Sequence, residues 1–114
     1  MIFALVTFLP HAKGPMSAAD RLKLIEATAP RYQTIPGLIR KYFMGQPGGR
    51  AGGAYEWETK DHADAFYTAA WRADMTAKYG TDLRVEYFDC PAVVDNAAGK
   101  INIAAELRAA ATAG

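Results

Sequence analysis

Ala54-Tyr55-Glu56-Trp57-Glu58 is the stretch of this sequence that most clearly indicates a β-strand. Side chains alternate between the two sides of an extended chain. Tyr55 and Trp57 therefore share one face, and Ala54, Glu56 and Glu58 share the other. The predicted sheet is built outward from this strand.

Glycine, proline and capping residues divide the rest of the chain into helices and strands. The glycine-dense segment 45–53 predicts a long hairpin connection ahead of the central strand. The other predicted elements are, in chain order, a strand over 2–9, a helix that begins at Ser17 and ends near Ala29 or kinks at Pro30, a strand over 38–44, a helix from Thr59 to about Tyr79, and a strand over 83–88. A loop over 11–16 follows the first strand.

The order strand, helix, strand, strand, helix, strand is that of the ferredoxin-like fold. It predicts an α+β domain in which two helices cover one face of a four-stranded antiparallel sheet. The first strand is apolar on both faces, with Phe3 and Leu5 opposite Ala4 and Val6. Because a monomer would leave one of these faces in water, we expect a symmetric homodimer that buries the two sheets against each other. The alternative is a monomer with an open sheet.

Length, charge and cysteine usage limit the possible classes of protein. The 114 residues fit one domain, which we place at 1–96, followed by a helical or frayed tail over 97–114. A net charge of +1 argues against binding to nucleic acid, and no apolar run reaches the roughly 18 residues that span a membrane. The single cysteine, Cys90, fits a reduced compartment, so we expect a cytoplasmic protein.

Residues spread over positions 2–96 carry a resemblance to a known family. The set comprises Ile35-Pro36-Gly37-Leu38, Lys41, Phe43, Gly52-Gly53-Ala54-Tyr55, Trp57, Ala63, Ala65, Phe66 and Glu86-Tyr87-Phe88-Asp89. It resembles the small YdhR-like monooxygenases of the dimeric α+β barrel superfamily. The resemblance implies a dimer with a pocket in each subunit between the sheet and the helices. The superfamily also holds polyketide cyclases, isomerases and haem-degrading enzymes, so the fold alone does not select a reaction.

Large aromatic side chains are expected to line this pocket. The predicted substrate-binding residues are Tyr32, Phe43, Trp57, Phe66 and Trp71. Tyr55 and Tyr67 are candidate catalytic residues, because their hydroxyl groups can donate hydrogen bonds to a developing oxyanion. Rings with polar tips suit a small, planar aromatic or polyketide-like ligand. The alternative is that rings at this spacing simply form the hydrophobic core.

Two further residues are candidates for catalysis. His11 follows the first strand directly, and its ordinary pKa of about 6.5 suits a general base. The alternative for His11 is an exposed loop histidine. Arg40 or its neighbour Lys41 must point inward, where either could hold an enolate, phenolate or carboxylate, and we assign this role to Arg40. A pair between this cation and Glu56 would make it structural instead.

The sequence predicts no metal site and no cofactor, since two isolated histidines and one cysteine give no ligand spacing. Our first hypothesis is a cofactor-independent monooxygenase, in which a base creates a carbanion that reacts with dioxygen. The second is a proton-shuttling isomerase or cyclase that uses the same pocket. The third is a non-catalytic dimer that binds a small molecule. Each of them has a small organic molecule and a second copy of the chain as its partners.

Overall fold

The computed structural model describes residues 1–12, 14 and 16–113. The predicted loop positions Lys13 and Pro15 and the last tail residue, Gly114, lie outside the described residues. Helices and strands follow one another as β1 (Ile2–Pro10), α1 (Ala18–Tyr32), β2 (Leu38–Gly45), β3 (Ala51–Trp57), α2 (Lys60–Phe66), α3 (Ala69–Lys78), β4 (Gly80–Asp89), β5 (Ala92–Asp95), β6 (Lys100–Ile103) and α4 (Ala105–Ala113).

Strands β1 to β4 form one antiparallel sheet in the order β2-β3-β1-β4. The two central strands, β1 and β3, are thus joined through a helix and a strand rather than by a hairpin, as the ferredoxin-like arrangement requires. Helices α1, α2 and α3 pack on one face of this sheet. The predicted α+β fold is confirmed.

The core lies between the sheet and the helices. Its buried residues are Ala4, Val6, Tyr55, Trp57, Ala63 and Tyr67. The alternation predicted for the central strand is confirmed, because Tyr55 and Trp57 face the helices while Glu56 lies on the other side with Phe3 and Arg40 as strand neighbours. We name the side that carries Glu56 the open face of the sheet.

The predicted second helix is two helices. Tyr67 leaves the helical conformation, and the side chain of Thr68 accepts a hydrogen bond from the backbone N–H of Trp71 at 3.1 Å. A threonine that caps the next turn stabilises a new helix start in preference to a continuous helix. The first helix, in contrast, passes through Pro30 and ends at Tyr32, because a proline in the last turn removes only one backbone hydrogen bond.

Strand β3 begins earlier than predicted, at Ala51, so that Gly52 and Gly53 belong to the strand and not to the hairpin loop. Gly52 has a φ of 154°, and a Cβ atom there would lie 1.8 Å from the carbonyl oxygen of Val6. Glycine is therefore required where β3 approaches β1 this closely.

Strand β2 contains a β-bulge. Leu38 pairs with Trp57 and Arg40 pairs with Glu56, so two steps along β2 match one step along β3. The extra residue, Ile39, shifts the alternation of every residue that follows it. Lys41 and Phe43 consequently lie opposite Tyr55 and Gly53, on the side covered by the helices.

The tail forms a hairpin, β5-β6, followed by the helix α4. The segment 97–114, expected to be a helical or frayed tail, thus contains a strand as well as a helix, because Lys100–Ile103 pairs with β5 before α4 begins. The hairpin presents Val94 and Ile101 as a pair that is 65% and 70% exposed, and α4 buries no residue. The radius of gyration of 16.3 Å exceeds the roughly 13 Å of a compact chain of this length, as expected for a projecting tail.

Within the described residues, no helix has the length and apolar character needed to cross a membrane.

Candidate functional site

Seven aromatic side chains from five elements and one helix boundary form a continuous group against the sheet. The members are Tyr32, Phe43, Tyr55, Trp57, Phe66, Tyr67 and Trp71, which we name the aromatic cluster. Neighbouring ring centroids within it lie 5.0–6.3 Å apart, in mainly edge-to-face or tilted arrangements that aromatic quadrupoles favour. The structure thus brings together all the aromatic residues that the sequence nominated for the site.

The centre of the aromatic cluster is fixed by the end of α2. Tyr67 departs from the helix at this point and enters the core, where its hydroxyl oxygen accepts a hydrogen bond of 3.1 Å from Nε1 of Trp57. Tyr55 stacks on Trp57 with an interplanar angle of 8°. These three side chains fill the space between helix and sheet, so they form the wall of the site and not an empty pocket.

Burial keeps the tyrosines of the aromatic cluster protonated. It raises the pKa of Tyr32, Tyr55 and Tyr67 above the ordinary value for tyrosine. A phenol that does not ionise can still donate its proton in a hydrogen bond. The chemical role open to these groups is therefore stabilisation of negative charge.

Lys41 carries its amine into the aromatic cluster. Its Nζ atom lies 3.5 Å from the ring centroid of Tyr32, 3.9 Å from that of Phe43 and 5.1 Å from that of Tyr55. No carboxylate of the described residues lies within 4.0 Å of this atom. The faces of these rings attract the ammonium form.

This environment makes Lys41 an unusual acid. Burial among apolar groups disfavours the charged form and lowers the pKa of Lys41 to about 7. Attraction to the ring faces opposes the shift, but it is worth only about 0.5–2 kcal/mol. The pKa of Lys41 therefore stays well below that of an exposed lysine, and a substantial fraction of the amine is neutral near pH 7.

The amine borders an open cleft between α1 and β2. The cleft has a volume of about 360 Å³, and it is lined by Ala29, Tyr32, Gln33, Leu38, Ile39, Arg40, Lys41 and Phe43. A larger but shallower concavity of about 580 Å³ lies beside α3, and its lining contains no aromatic ring. We place the candidate site in the cleft, because the rings and the amine that bear chemistry meet there.

Arg40 lies on the open face, away from the aromatic cluster. Its side chain is 53% exposed and forms a 3.0 Å ion pair with Glu56, which also accepts a hydrogen bond from Tyr42. This corrects the expected grouping of Arg40 with Tyr55 and Tyr67. The bulge at Ile39 is the physical reason, since it turns Arg40 outward and Lys41 inward. The sequence predicted that either Arg40 or Lys41 points inward, and the role was assigned to Arg40.

His11 is also remote from the aromatic cluster. Its Nε2 atom donates a 2.7 Å hydrogen bond to the carbonyl oxygen of Thr76 near the end of α3. It lies seven residues beyond Ala4, the β1 partner of Tyr55, which amounts to roughly 20 Å at the rise of an extended strand. The structure therefore separates His11 from the group with which it was expected to act, and a catalytic role for it stays a prediction.

Possible metal ligands are dispersed over the described part of the chain. No group of three or more histidine, cysteine, aspartate or glutamate side chains there is placed to hold a metal ion.

Comparison with known proteins identifies the fold and leaves the family open. No family model matches the sequence, and no curated protein does either. Among solved structures, the chain is similar to a "putative antibiotic biosynthesis monooxygenase" from Deinococcus radiodurans, with a TM-score of 0.57 and 15% sequence identity. The match covers 83% of this chain and 97% of the other. At this identity the likeness shows a shared fold, which reaches across nearly all of the solved protein.

Proposed function

We propose that this protein is a monooxygenase-like enzyme that acts on a small aromatic or polyketide-like molecule in the cleft between α1 and β2. The observation that carries the proposal is the amine of Lys41, held among the rings of the aromatic cluster at the edge of this cleft. The fold that the chain shares with a monooxygenase-like protein supports it. Membership of the YdhR-like group is part of the same proposal.

The residues around the cleft suggest a division of roles. The substrate stacks on Tyr32 and Phe43, and the neutral amine of Lys41 removes a proton from an acidic C–H group. The hydroxyl group of Tyr32, which lines the cleft, donates a hydrogen bond to the resulting oxyanion. Dioxygen then reacts at the carbanion, so that a CH₂ group becomes C=O and the second oxygen atom leaves as water. The substrate itself supplies the electrons, and no cofactor enters the balance.

Dioxygen consumption tests this proposal. Purified protein is mixed with anthrones, naphthols and hydroquinones, and oxygen uptake and product masses are recorded. We expect uptake that depends on the protein and a product that has gained oxygen. A product of unchanged mass, or one that has lost only water, would contradict the oxygenase and indicate the isomerase or cyclase.

The isomerase or cyclase is the second candidate, and Lys41 is the observation that favours it. An amine with a pKa near 7 can take a proton from one carbon of a substrate and return it to another without oxygen. Binding without turnover is the third possibility, since the central rings of the aromatic cluster are closely packed. Ligand-dependent shifts in the fluorescence of Trp57 and Trp71, with no product formed, would indicate it.

We also propose that the chain forms a homodimer through the open face. Tyr42, Met44 and Phe88 on this face are 40–49% exposed, and Phe3 and Leu5 lie half-buried between them. The projecting hairpin adds the apolar pair Val94 and Ile101. Covering these side chains would remove apolar surface from water. A cytoplasmic location is part of the proposal, in keeping with the unpaired Cys90, and cell fractionation tests it.

Sedimentation equilibrium measures the proposed dimer. We expect the unaltered chain to sediment as a dimer and the variant Leu5→Lys as a folded monomer, because it places an unpaired charge at the centre of the interface. Leu22→Lys, at an exposed position of α1, is the matched change of residue and charge and should leave the dimer intact. Removal of the residues after Asn96 measures the part played by the tail. A monomer for the unaltered chain at high concentration would refute the proposal.

A further inference from the structure

Lys41 differs from the other lysines of the structure in its surroundings. Lys60 and Lys78 form ion pairs with Asp64 and Asp74 on their own helices, and both are largely exposed. The amine of Lys41 has aromatic carbon on three sides instead. Its stem occupies space left by Gly53, where a Cβ atom would lie 3.2 Å from Cε of Lys41. The fold thus holds one lysine amine in a fixed, apolar position beside an open cleft.

A lysine in such a place is a nucleophile. Desolvation leaves more of the amine neutral, and only the neutral form has a lone pair available for attack on carbon. Lys41 is among the residues that line the cleft, so small molecules that enter it come close to this side chain. The groups that face the amine from the packed elements, Tyr32 of α1 and Tyr55 of β3, remain protonated phenols, and the hydroxyl group of Tyr32, which lines the cleft, can donate a hydrogen bond to a carbonyl oxygen there.

We propose that Lys41 forms imines with small aldehydes and ketones that enter the cleft. The nitrogen adds to the carbonyl carbon to give a carbinolamine. The carbonyl oxygen then leaves as water, with one proton from the nitrogen and one from solvent. The remaining proton on the nitrogen returns to solvent, and a neutral C=N bond is left. The step involves no oxidation or reduction. It needs no dioxygen, so it is independent of the oxygenase proposed above.

The lining of the cleft indicates which carbonyl compounds fit best. The rings of Tyr32 and Phe43 flank the amine at nearly equal distances, and their centroids are 5.9 Å apart. Flat aromatic aldehydes and aryl ketones can contact these rings while their carbonyl carbon reaches the nitrogen. No carboxylate of the described residues competes for the amine there, and the cleft offers Gln33 as a polar contact.

Reductive trapping tests the inference. The folded protein is incubated at pH 7 with benzaldehyde and cyanoborohydride, which reduces the imine to a stable benzylamine, and the labelled peptides are then mapped by mass. At this pH the neutral fraction of Lys41 exceeds that of an exposed lysine roughly a thousandfold. We expect Lys41 to be labelled about tenfold or more faster than Lys23 and Lys60, since a lower pKa also reduces the reactivity of the neutral amine. The α-amino group of Met1 is mapped separately.

Three comparisons make the result decisive. The variants Lys41→Met and Lys41→Arg should lose this adduct and keep the slow labelling of Lys23. In urea, Lys41 and Lys23 should react at similar rates, because the fold creates the difference. Equal labelling of Lys41 and Lys23 in the folded protein, or a preference that persists in urea, would overturn the inference. The labelling and the oxygen-uptake assay are separate measurements. If Lys41 is labelled preferentially but the protein consumes no oxygen with any substrate tested, the imine site stands while the oxygenase fails.

Discussion

Replacement of Trp57 by alanine is expected to lower the free energy of unfolding by about 3–5 kcal/mol. The side chain is 0% exposed and contacts Tyr55, Phe66 and Tyr67 through its ring. Its removal creates a cavity at the centre of the core and takes away the N–H group that binds the hydroxyl oxygen of Tyr67. Chemical denaturation followed by circular dichroism measures the loss.

Two milder variants separate the contributions to this effect. Trp57→Phe keeps most of the ring contacts and should cost much less than alanine. Tyr67→Phe removes the acceptor of the Trp57 hydrogen bond and should cost about 1–3 kcal/mol, because a buried N–H group is left without a partner. A loss of less than about 1 kcal/mol for Trp57→Ala would show that the aromatic cluster is not the stabilising core of the domain.

Lys41→Met is expected to lower turnover of a confirmed substrate by about a hundredfold or more, as loss of a general base does. Methionine matches the length of the lysine stem and its apolar contacts, so the fold should remain. The exposed residue Lys23 provides the matched variant, Lys23→Met, which should turn over normally. Full activity in Lys41→Met, together with loss of activity in His11→Ala, would instead support the base that the sequence predicted.

The same substitution should increase stability. The pKa of Lys41 is lowered in the folded chain, so between about pH 7 and the ordinary lysine pKa near 10.4 the unfolded chain binds more protons. The cost of burying this amine is therefore greatest below pH 7 and disappears as the pH rises above about 10. Lys41→Met should gain roughly 1–2 kcal/mol at pH 6, after allowance for solvent screening at a partly exposed site, and little at pH 10.5. A gain that does not change with pH would contradict the lowered pKa.

The sequence was sufficient to predict the fold and the members of the aromatic cluster. Tyr55 and Trp57 alternate along one strand, and Phe66, Tyr67 and Trp71 recur near helical spacing, so simple periodicity assigns them to one layer. The pairing of strands follows from the order of the elements and the handedness of their connections. These features depend on patterns that extend over many residues, and a local irregularity does not change them.

The catalytic assignment depended on single residues, and there the sequence was insufficient. Counting alternate positions from the half-buried Leu38 places Arg40 inward, and the bulge at Ile39 reverses that result. No glycine or proline marks the bulge. Thr68 did offer a signal for the helix break that brings Tyr67 into the core, since threonine is a preferred N-cap residue. His11 showed only that it follows a strand, and that does not determine which end of the sheet holds the site.

The bulge in β2 determines whether Arg40 or Lys41 faces the site, and thereby sets the acid–base character of the site. If β2 paired with β3 without the bulge, Ile39 would lie opposite Glu56 and Arg40 opposite Tyr55, and a group that stays charged at every relevant pH would replace an amine that titrates near neutrality. The fold, the rings and the composition would be unchanged. Relatives of this chain can therefore differ in chemistry through the presence or absence of a bulge at the edge of the sheet, a difference that a comparison of residue types alone would miss.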